Sequence, residues 1–250
     1  MNITYLLHPQ YQHLQNELTT IKKTFDNNTN IIHKARNELK IINIQDKQYV
    51  VKSFKKPNFF NSIIYSFFKA SKAKKSYFNA IELHKRGINT PHPIAVIEFY
   101  TNKLLKESYF ISSYEPYDFT IREVVHHKTP DYKNILKEFA IFTAKLHQKG
   151  IWHEDYSLGN ILITNRKKRI FSLVDINRMK FFKISAEKGL KNLNKLWIKN
   201  DEDLEIIARS YAQIQHINPE LALRILKKEQ LKTYKFKKRK KLLKKIIGKI

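Results

Sequence analysis

Residues 151–175 constrain this chain more than any other stretch. Three apolar runs, Ile151-Trp152, Ile161-Leu162-Ile163 and Ile170–Val174, are two to five residues long and are separated by polar turns. Runs this short read as strands, not helices. Just before them, Tyr132, Ile135, Leu136, Phe139, Thr143 and Leu146 fall on one face of a helix over 131–149 that stops at Gly150. The polar residues between the runs are His153-Glu154-Asp155-Tyr156-Ser157-Leu158-Gly159-Asn160, and Asp175 follows Leu173-Val174. A hairpin between the second and third runs is expected to return Asp175 to the end that holds Asp155 and Asn160.

Two aspartates and an asparagine converging in this way suit phosphoryl transfer. A hard divalent cation takes oxygen ligands, which Asn160 and Asp175 supply. Asp155 can then orient an acceptor hydroxyl and take its proton. The phosphates also need a fixed cation, and Lys52, in the apolar strand Tyr49-Val50-Val51-Lys52, is placed to supply one. His153 reads as a buried histidine that orients the loop, not as a proton shuttle. His126-His127 has no third ligand at metal spacing and reads as a surface loop. Trp152 and Trp197 read as core.

The rest of the chain divides by pattern. Residues 31–43 and 47–54 read as paired strands joined near Gln45-Asp46-Lys47, and 71–86 as a helix ended by Gly87. Ile94–Tyr100 and Ser108–Tyr114 read as two more strands. Asn200 or Asp201 is expected to cap a helix over 202–215. Strands first and helices later predict an α+β fold of two lobes. The expected division is residues 1–114 for anchoring nucleotide phosphates, 115–226 for the catalytic loop, metal and acceptor, and 227–250 as a basic amphipathic tail.

Charge narrows the class of partner. The chain has 48 Lys+Arg against 22 Asp+Glu, a formal net charge of +26, and no cysteine. Disulfide scaffolds, thiolate metal sites and cysteine nucleophiles are therefore excluded. No apolar run is long enough to span a bilayer, and the opening residues MNITYLLHPQ do not read as a signal peptide. Residues 227–250 hold twelve Lys/Arg and one acid, Glu229, with Leu242, Leu243, Ile246, Ile247 and Ile250 on one helical face. Such a helix suits an anionic membrane surface, ahead of a solvated tail, with nucleic acid last. Residues Lys52–Lys75 hold seven lysines, no acid, and the aromatics Phe54, Phe59, Phe60, Tyr65, Phe67 and Phe68. This pattern fits single-stranded nucleic acid, lipid headgroups or simple core aromatics.

The His153, Asp155 and Asn160 spacing, with Asp175 after a strand and Lys52 within one, resembles the protein-kinase-like superfamily. The resemblance implies a bilobal protein-kinase-like fold, strand-rich in the first lobe and mostly helical in the second, binding ATP and Mg2+. It implies Asp155 as catalytic base, Asn160 and Asp175 as metal ligands, and Lys52 on the phosphates. The backbone of Ser112, Ser113, Tyr114 and Glu115 would lie near adenine. There are departures. Glu154 stands where protein kinases carry Arg, and Ser157 where Ser/Thr kinases carry Lys. The triplet is Asp175-Ile176-Asn177, and no glycine-rich loop exists. The glutamate partner of Lys52 is not evident, since Glu82 is the only carboxylate on the 71–86 helix and its phase is poor.

Within that superfamily the chain looks most like the lipopolysaccharide core kinases, which phosphorylate Kdo or heptose. The matching segments are Val51-Lys52-Ser53-Phe54-Lys55-Lys56-Pro57, Arg86-Gly87-Ile88-Asn89-Thr90-Pro91, His153–Asn160 and Val174-Asp175-Ile176-Asn177-Arg178. This implies transfer of the γ-phosphate to a sugar hydroxyl of the lipopolysaccharide inner core. The setting would be cytoplasmic and peripheral at the inner membrane. Ser157, Asn177 and Arg178 are the acceptor-side candidates, with Lys180 and Lys183 in the loop Asn177–Gly189. The rival readings are a small-molecule or protein kinase of the same fold, and an inert kinase-like module that binds anionic lipid or nucleic acid.

Overall fold

Side-chain alternation accounts for the first sheet. The structure is a computed structural model; it describes residues 2–34, 37–165 and 168–247, with side chains described as far as 239 in the last helix. The chain divides into two units, Met1–Tyr117 with Ser172–Arg178, and Asp118–Phe171 with Met179–Ile250.

The first unit runs β1 (Asn2–Leu7), α1 (Gln15–Thr19), α2 (Ile21–Asn27), β2 (Ile31–Lys34), β3 (Glu38–Ile44), β4 (Lys47–Phe54), α3 (Phe59–Ile63), α4 (Lys72–Lys85), β5 (Pro93–Thr101) and β6 (Leu104–Ser113). Its six strands form one antiparallel sheet in the order β1-β5-β6-β4-β3-β2. Gln45-Asp46 and Asn102-Lys103 join β3 to β4 and β5 to β6, and all four residues have positive φ. Two consecutive left-handed residues make the turn whose twist matches a tight hairpin. On one face Val51, Ile97, Phe99, Tyr109 and Ile111 pack with Leu14, Leu18, Ile21 and Phe25 of the N-terminal helices. On the other, Phe54, Val96 and Phe110 pack with Ala73 and Tyr77 of α4. The period of two puts Lys52 on this α4 face, where it lies opposite Phe110 and is 8% exposed. The sequence reading assigns nothing over residues 1–30, yet β1 extends the sheet and α1 and α2 cover it.

The end of α4 shows why its turn matters. Gly87 has φ 67°, the Gly87 N–H donates to the His84 carbonyl and the Ile88 N–H to that of Leu83. Both bonds belong to the Schellman motif, and Leu83 and Ile88, which it brings together, are both buried. The chain then turns Asn89 and Thr90 toward residues 172–173. Asn89 accepts from the Leu173 N–H at 2.9 Å, and the Thr90 hydroxyl donates to the Leu173 carbonyl at 2.7 Å.

The second unit runs β7 (Phe119–Thr120), α5 (Ile121–His127), α6 (Tyr132–Gln148), β8 (Ile151–His153), β9 (Ile161–Thr164), the start of β10 (Ile170–Leu173, whose last two residues belong to the first unit), β11 (Met179–Phe181), α7 (Ala186–Leu193), α8 (Asp201–Gln215) and α9 (Pro219–Ile247). The strand order is β10-β9-β7 in one sheet and β11-β8 in the other. Ile135, Leu136, Phe139, Thr143 and Leu146 of α6 are buried as their spacing requires, and Gly150 ends the helix at φ 70°. Asn200 caps α8, its side-chain oxygen accepting from the Asp203 N–H at 2.9 Å.

The division into units falls elsewhere than residue 114. The first unit ends at Tyr117, not 114, and takes in Ser172–Arg178, because Asn89 and Thr90 bind that segment to it. Residues 227–239 continue α9, which begins at Pro219, and Gln230 and Thr233 there are bonded to Ile198 and Asn194. The side chains of Leu242, Leu243, Ile246 and Ile247, and all of Ile250, lie outside the described residues.

Candidate active site

In the first unit, Lys52 Nζ lies 2.5 Å from Asp175 Oδ1. A buried ammonium needs a partner, and this carboxylate provides it. The Asn177 side-chain amide donates to the same oxygen at 2.7 Å. Asp175 has φ 55°, a left-handed conformation that aspartate tolerates better than most residues. Its neighbours hold it there: Thr90 bonds the Leu173 carbonyl, and the Asn79 amide bonds the Ile176 carbonyl at 2.7 Å. Glu82 instead takes the Arg86 guanidinium at 2.7 Å. The carboxylate bonded to Lys52 is thus the strand-end Asp175.

Ser112, Ser113, Tyr114 and Glu115 follow from β6 and lie in the same unit. Ser112 pairs with Val50, the Ser113 N–H donates to the His92 carbonyl at 2.9 Å, and the Tyr114 N–H donates to that of Gln48 at 3.2 Å. Burial pushes the Glu115 carboxyl above its ordinary range. Arg178 is exposed and Asn177 buried, as its bond to Asp175 demands.

In the second unit, the loop after β8 is braced from beneath. His153 is fully buried, and its Nδ1 accepts the Asp155 N–H at 3.1 Å. The Asn160 amide donates to the Asp155 carbonyl at 2.8 Å, which directs its oxygen the other way. Buried Asn192 donates to the His153 carbonyl at 3.1 Å. The Asn192 oxygen accepts from His147 Nε2 at 3.2 Å, and His147 Nδ1 accepts from the Tyr211 hydroxyl at 2.9 Å. Burial lowers the His147 pKa to about 4, so the ring is neutral and this donor pattern holds. Gly189 is required beside it: a Cβ there would sit 1.9 Å from the Tyr211 oxygen and 2.6 Å from His147 Nδ1. The sequence spacing identifies His153 as structural, but Asn192, His147 and Gly189 lie far from the motif and carry no local signal.

Glu154 forms an ion pair with Lys180 of β11, so Lys180 is committed within the unit. Ser157 and Asp155 line an open cleft of about 470 Å³ with residues of Asn194–Leu196, Trp197 and α9. Trp197 and Trp152 are half-buried, not core. His126 and His127 are exposed at the end of α5, and among the described residues no group of three His, Cys, Asp or Glu could hold a metal.

No protein-family model matches this sequence, and no curated protein matches it. Among solved structures, the chain is similar to WaaP in complex with acyl carrier protein, with a TM-score of 0.62 and 14% identity, over 93% of this chain and 98% of that one. It is also matched to WbdD with the kinase inhibitor LY294002, with a TM-score of 0.42 and 15% identity, over 79% of this chain and 44% of that one. The first likeness is one of fold: the chain has the two-lobed, kinase-like α+β fold that its sequence predicts.

Proposed function

We propose that this protein is a Mg-ATP-dependent phosphotransferase acting on a sugar hydroxyl, Kdo or heptose, of the lipopolysaccharide inner core. The observation that carries the reading is the cluster of Lys52, Asp175 and Asn177, a buried ammonium held on the carboxylate that ends a strand. A structural ion pair alone would not need that carboxylate in a left-handed residue fixed by Thr90 and Asn79. ATP with Mg2+ supplies the transferred phosphoryl group and the counter-charge. Asn160 and Asp175 are the residues to hold the ion, Lys52 to hold the phosphates, and the strand end Ser112–Glu115 to meet the adenine. Asp155, kept in place by His153 and Asn160, orients the acceptor hydroxyl and takes its proton.

A membrane-borne acceptor accords with the surface. Phe59, Phe60, Phe67 and Phe68 are 60–77% exposed. They are not on a loose segment: the Ser62 hydroxyl donates to the Leu105 carbonyl at 2.6 Å, and the Ser66 hydroxyl accepts the Leu105 N–H at 2.8 Å. The π-helical turn Ile64–Phe68, closed by the Lys69 N–H on the Ile64 carbonyl, turns the second phenylalanine pair outward. Four fixed, exposed phenylalanines beside Lys55 and Lys69 suit insertion among anionic headgroups. No helix among the described residues is long and apolar enough to cross a membrane. The lipopolysaccharide reading puts the protein at the cytoplasmic face of a bacterial inner membrane.

Incubation with ATP, Mg2+ and deacylated inner-core oligosaccharide tests the function. Mass spectrometry should find one added phosphate on the sugar. Transfer to an aminoglycoside or a protein, with none to the oligosaccharide, would replace the acceptor. No nucleotide binding at all would leave the inert-module reading.

A further inference from the structure

The cleft beside Asp155 has a wall that the catalytic motif does not supply. Asn194, Lys195 and Trp197 line it from the turn after α7, and Thr233 and Lys237 line it from α9. Trp197 is held at φ 56°, ψ 48°, a left-handed conformation that is costly for a bulky side chain. Lys237 Nζ lies 3.7 Å from the centre of its ring. Lys195 donates to the Glu154 carbonyl and sits at the rim next to the loop. Glu154, the other acid beside Asp155, is paired with Lys180. Lys237 of α9 and Lys195 of the turn after α7 thus bring two cations to a cleft that Asp155 also lines.

One atom in this wall asks for a ligand or a water. The Asn194 amide nitrogen donates to the Glu229 carbonyl at 3.1 Å and to the Thr233 hydroxyl at 2.7 Å. A carbonyl only accepts, so the amide cannot be turned around. Its oxygen is left buried without a donor among the described residues. A buried acceptor without a donor is uncommon and calls for an explanation.

We infer that this cleft is the acceptor subsite, and that it takes a pyranose ring carrying a carboxylate or phosphate. The chemical class rests on the phosphotransferase reading above. The indole face of Trp197 supplies an apolar platform with a polar rim, which suits a sugar ring. Lys237 and Lys195 meet the anionic substituent through charge-assisted hydrogen bonds. Asn194 stands on the same wall, and its unpartnered side-chain oxygen is the acceptor for a ring hydroxyl. The hydroxyl to be phosphorylated is then presented on the Asp155 side. The basic helix α9 is accordingly a wall of the acceptor site as well as a source of surface charge.

The test uses the full chain with Trp152→Phe, which leaves Trp197 as the sole indole reporter. Titration with free Kdo, a sugar acid, should change its emission saturably, and methyl glucoside should not. Adding Lys237→Ala should weaken Kdo binding by about tenfold or more, the scale of one lost charge-assisted bond. In the otherwise native chain, Lys237→Ala should raise KM for core oligosaccharide and leave KM for ATP unchanged. An equal response to the neutral sugar, or Kdo binding unchanged by Lys237→Ala, overturns the inference. The two readings fail separately. Kdo binding without any ATP turnover keeps the site and sinks the kinase. Turnover with an unaltered acceptor KM in Lys237→Ala keeps the kinase and sinks the site.

Discussion

The ammonium of Lys52 and the carboxylate of Asp175 meet at 2.5 Å although 123 residues separate them in sequence. One partner ends a strand and the other lies within a different one, and each neutralises a charge the other would leave in a poorly hydrated place. Buried pairs of this kind often add little net stability, because desolvation offsets the attraction. Replacing Lys52 by methionine keeps the volume and removes the ammonium. Asp175, whose side chain is 35% exposed, can then turn to water. Lys52→Met should melt within a few degrees of the native protein, roughly the effect of 1 kcal/mol in a chain of this size. Phosphoryl transfer should fall by about 10² or more. Melting curves and ATP turnover check both; a variant with native turnover would remove Lys52 from the site.

Asp155→Asn keeps the shape of the loop, because its N–H still meets His153 and its carbonyl still meets Asn160. It removes only the carboxylate proposed as proton acceptor. Turnover should drop by about 10² to 10⁴, the usual range for a general base, while nucleotide affinity stays within a factor of about two. Calorimetric titration with ATP and Mg2+ beside steady-state rates gives the comparison. Loss of both together would mean that Asp155 is structural.

Gly189→Ala places a methyl group against the Tyr211 hydroxyl and His147, and both are buried and unable to retreat. The strain should cost about 1–3 kcal/mol. It should also reach the loop after His153 through Asn192, which bonds both His147 and the His153 carbonyl. Urea unfolding should show a lowered midpoint, with turnover reduced even at temperatures where the variant is folded. A midpoint equal to the native one would show that Tyr211 and His147 yield to the methyl group without cost.

His147 also sets a pH dependence. Its ordinary pKa of 6.5 is pulled to about 4 by burial. Between those values the unfolded chain binds a proton that the folded chain refuses, so stability falls as pH falls. The contribution is complete above pH 6.5 and is lost on the way down to about 4, a span worth up to about 3 kcal/mol. Unfolding free energies at pH 7.5 and 5 should differ more in the native protein than in His147→Gln. Equal differences would mean that the ring is protonated inside the fold.

Phe60→Ser with Phe68→Ser should leave the melting temperature unchanged, since both rings are more than 70% exposed. Sedimentation with vesicles of anionic phospholipid should weaken severalfold, through lost apolar burial of about 1.5–3 kcal/mol per ring at full insertion. Deleting residues 238–250 should weaken the same binding in a salt-dependent way, through lost lysines near the surface. The deletion must start beyond Lys237, because Glu229, Thr233 and Lys237 are tied to Asn194 and Trp197. Undiminished vesicle binding in both variants would place the membrane contact elsewhere.

Local pattern carried much of this molecule. The spacing of Ile135, Leu136, Phe139 and Thr143 specified α6, and alternation around Val51 put Lys52 on the face opposite the N-terminal helices. The order His153, Asp155, Asn160 was readable because those residues sit on one short loop, where covalent distance limits where each can go. The Gln45-Asp46 turn and the stops at Gly87 and Gly150 were readable for the same reason, whereas the Asn102-Lys103 turn was not read.

What tertiary structure alone decided are the pairings between distant segments. That Lys52 binds Asp175 and Glu82 binds Arg86 depends on α4, on Asn89-Thr90 and on the segment 172–178 packing together. That a tryptophan expected in the core lines a cleft, and that a supposed tail is one wall of it, depends on α9 packing beside the turn after α7. Periodicity records which face of an element is buried. It does not record the element on which that face comes to rest, because apolar burial is non-directional and the polar partners are chosen only once the packing is made.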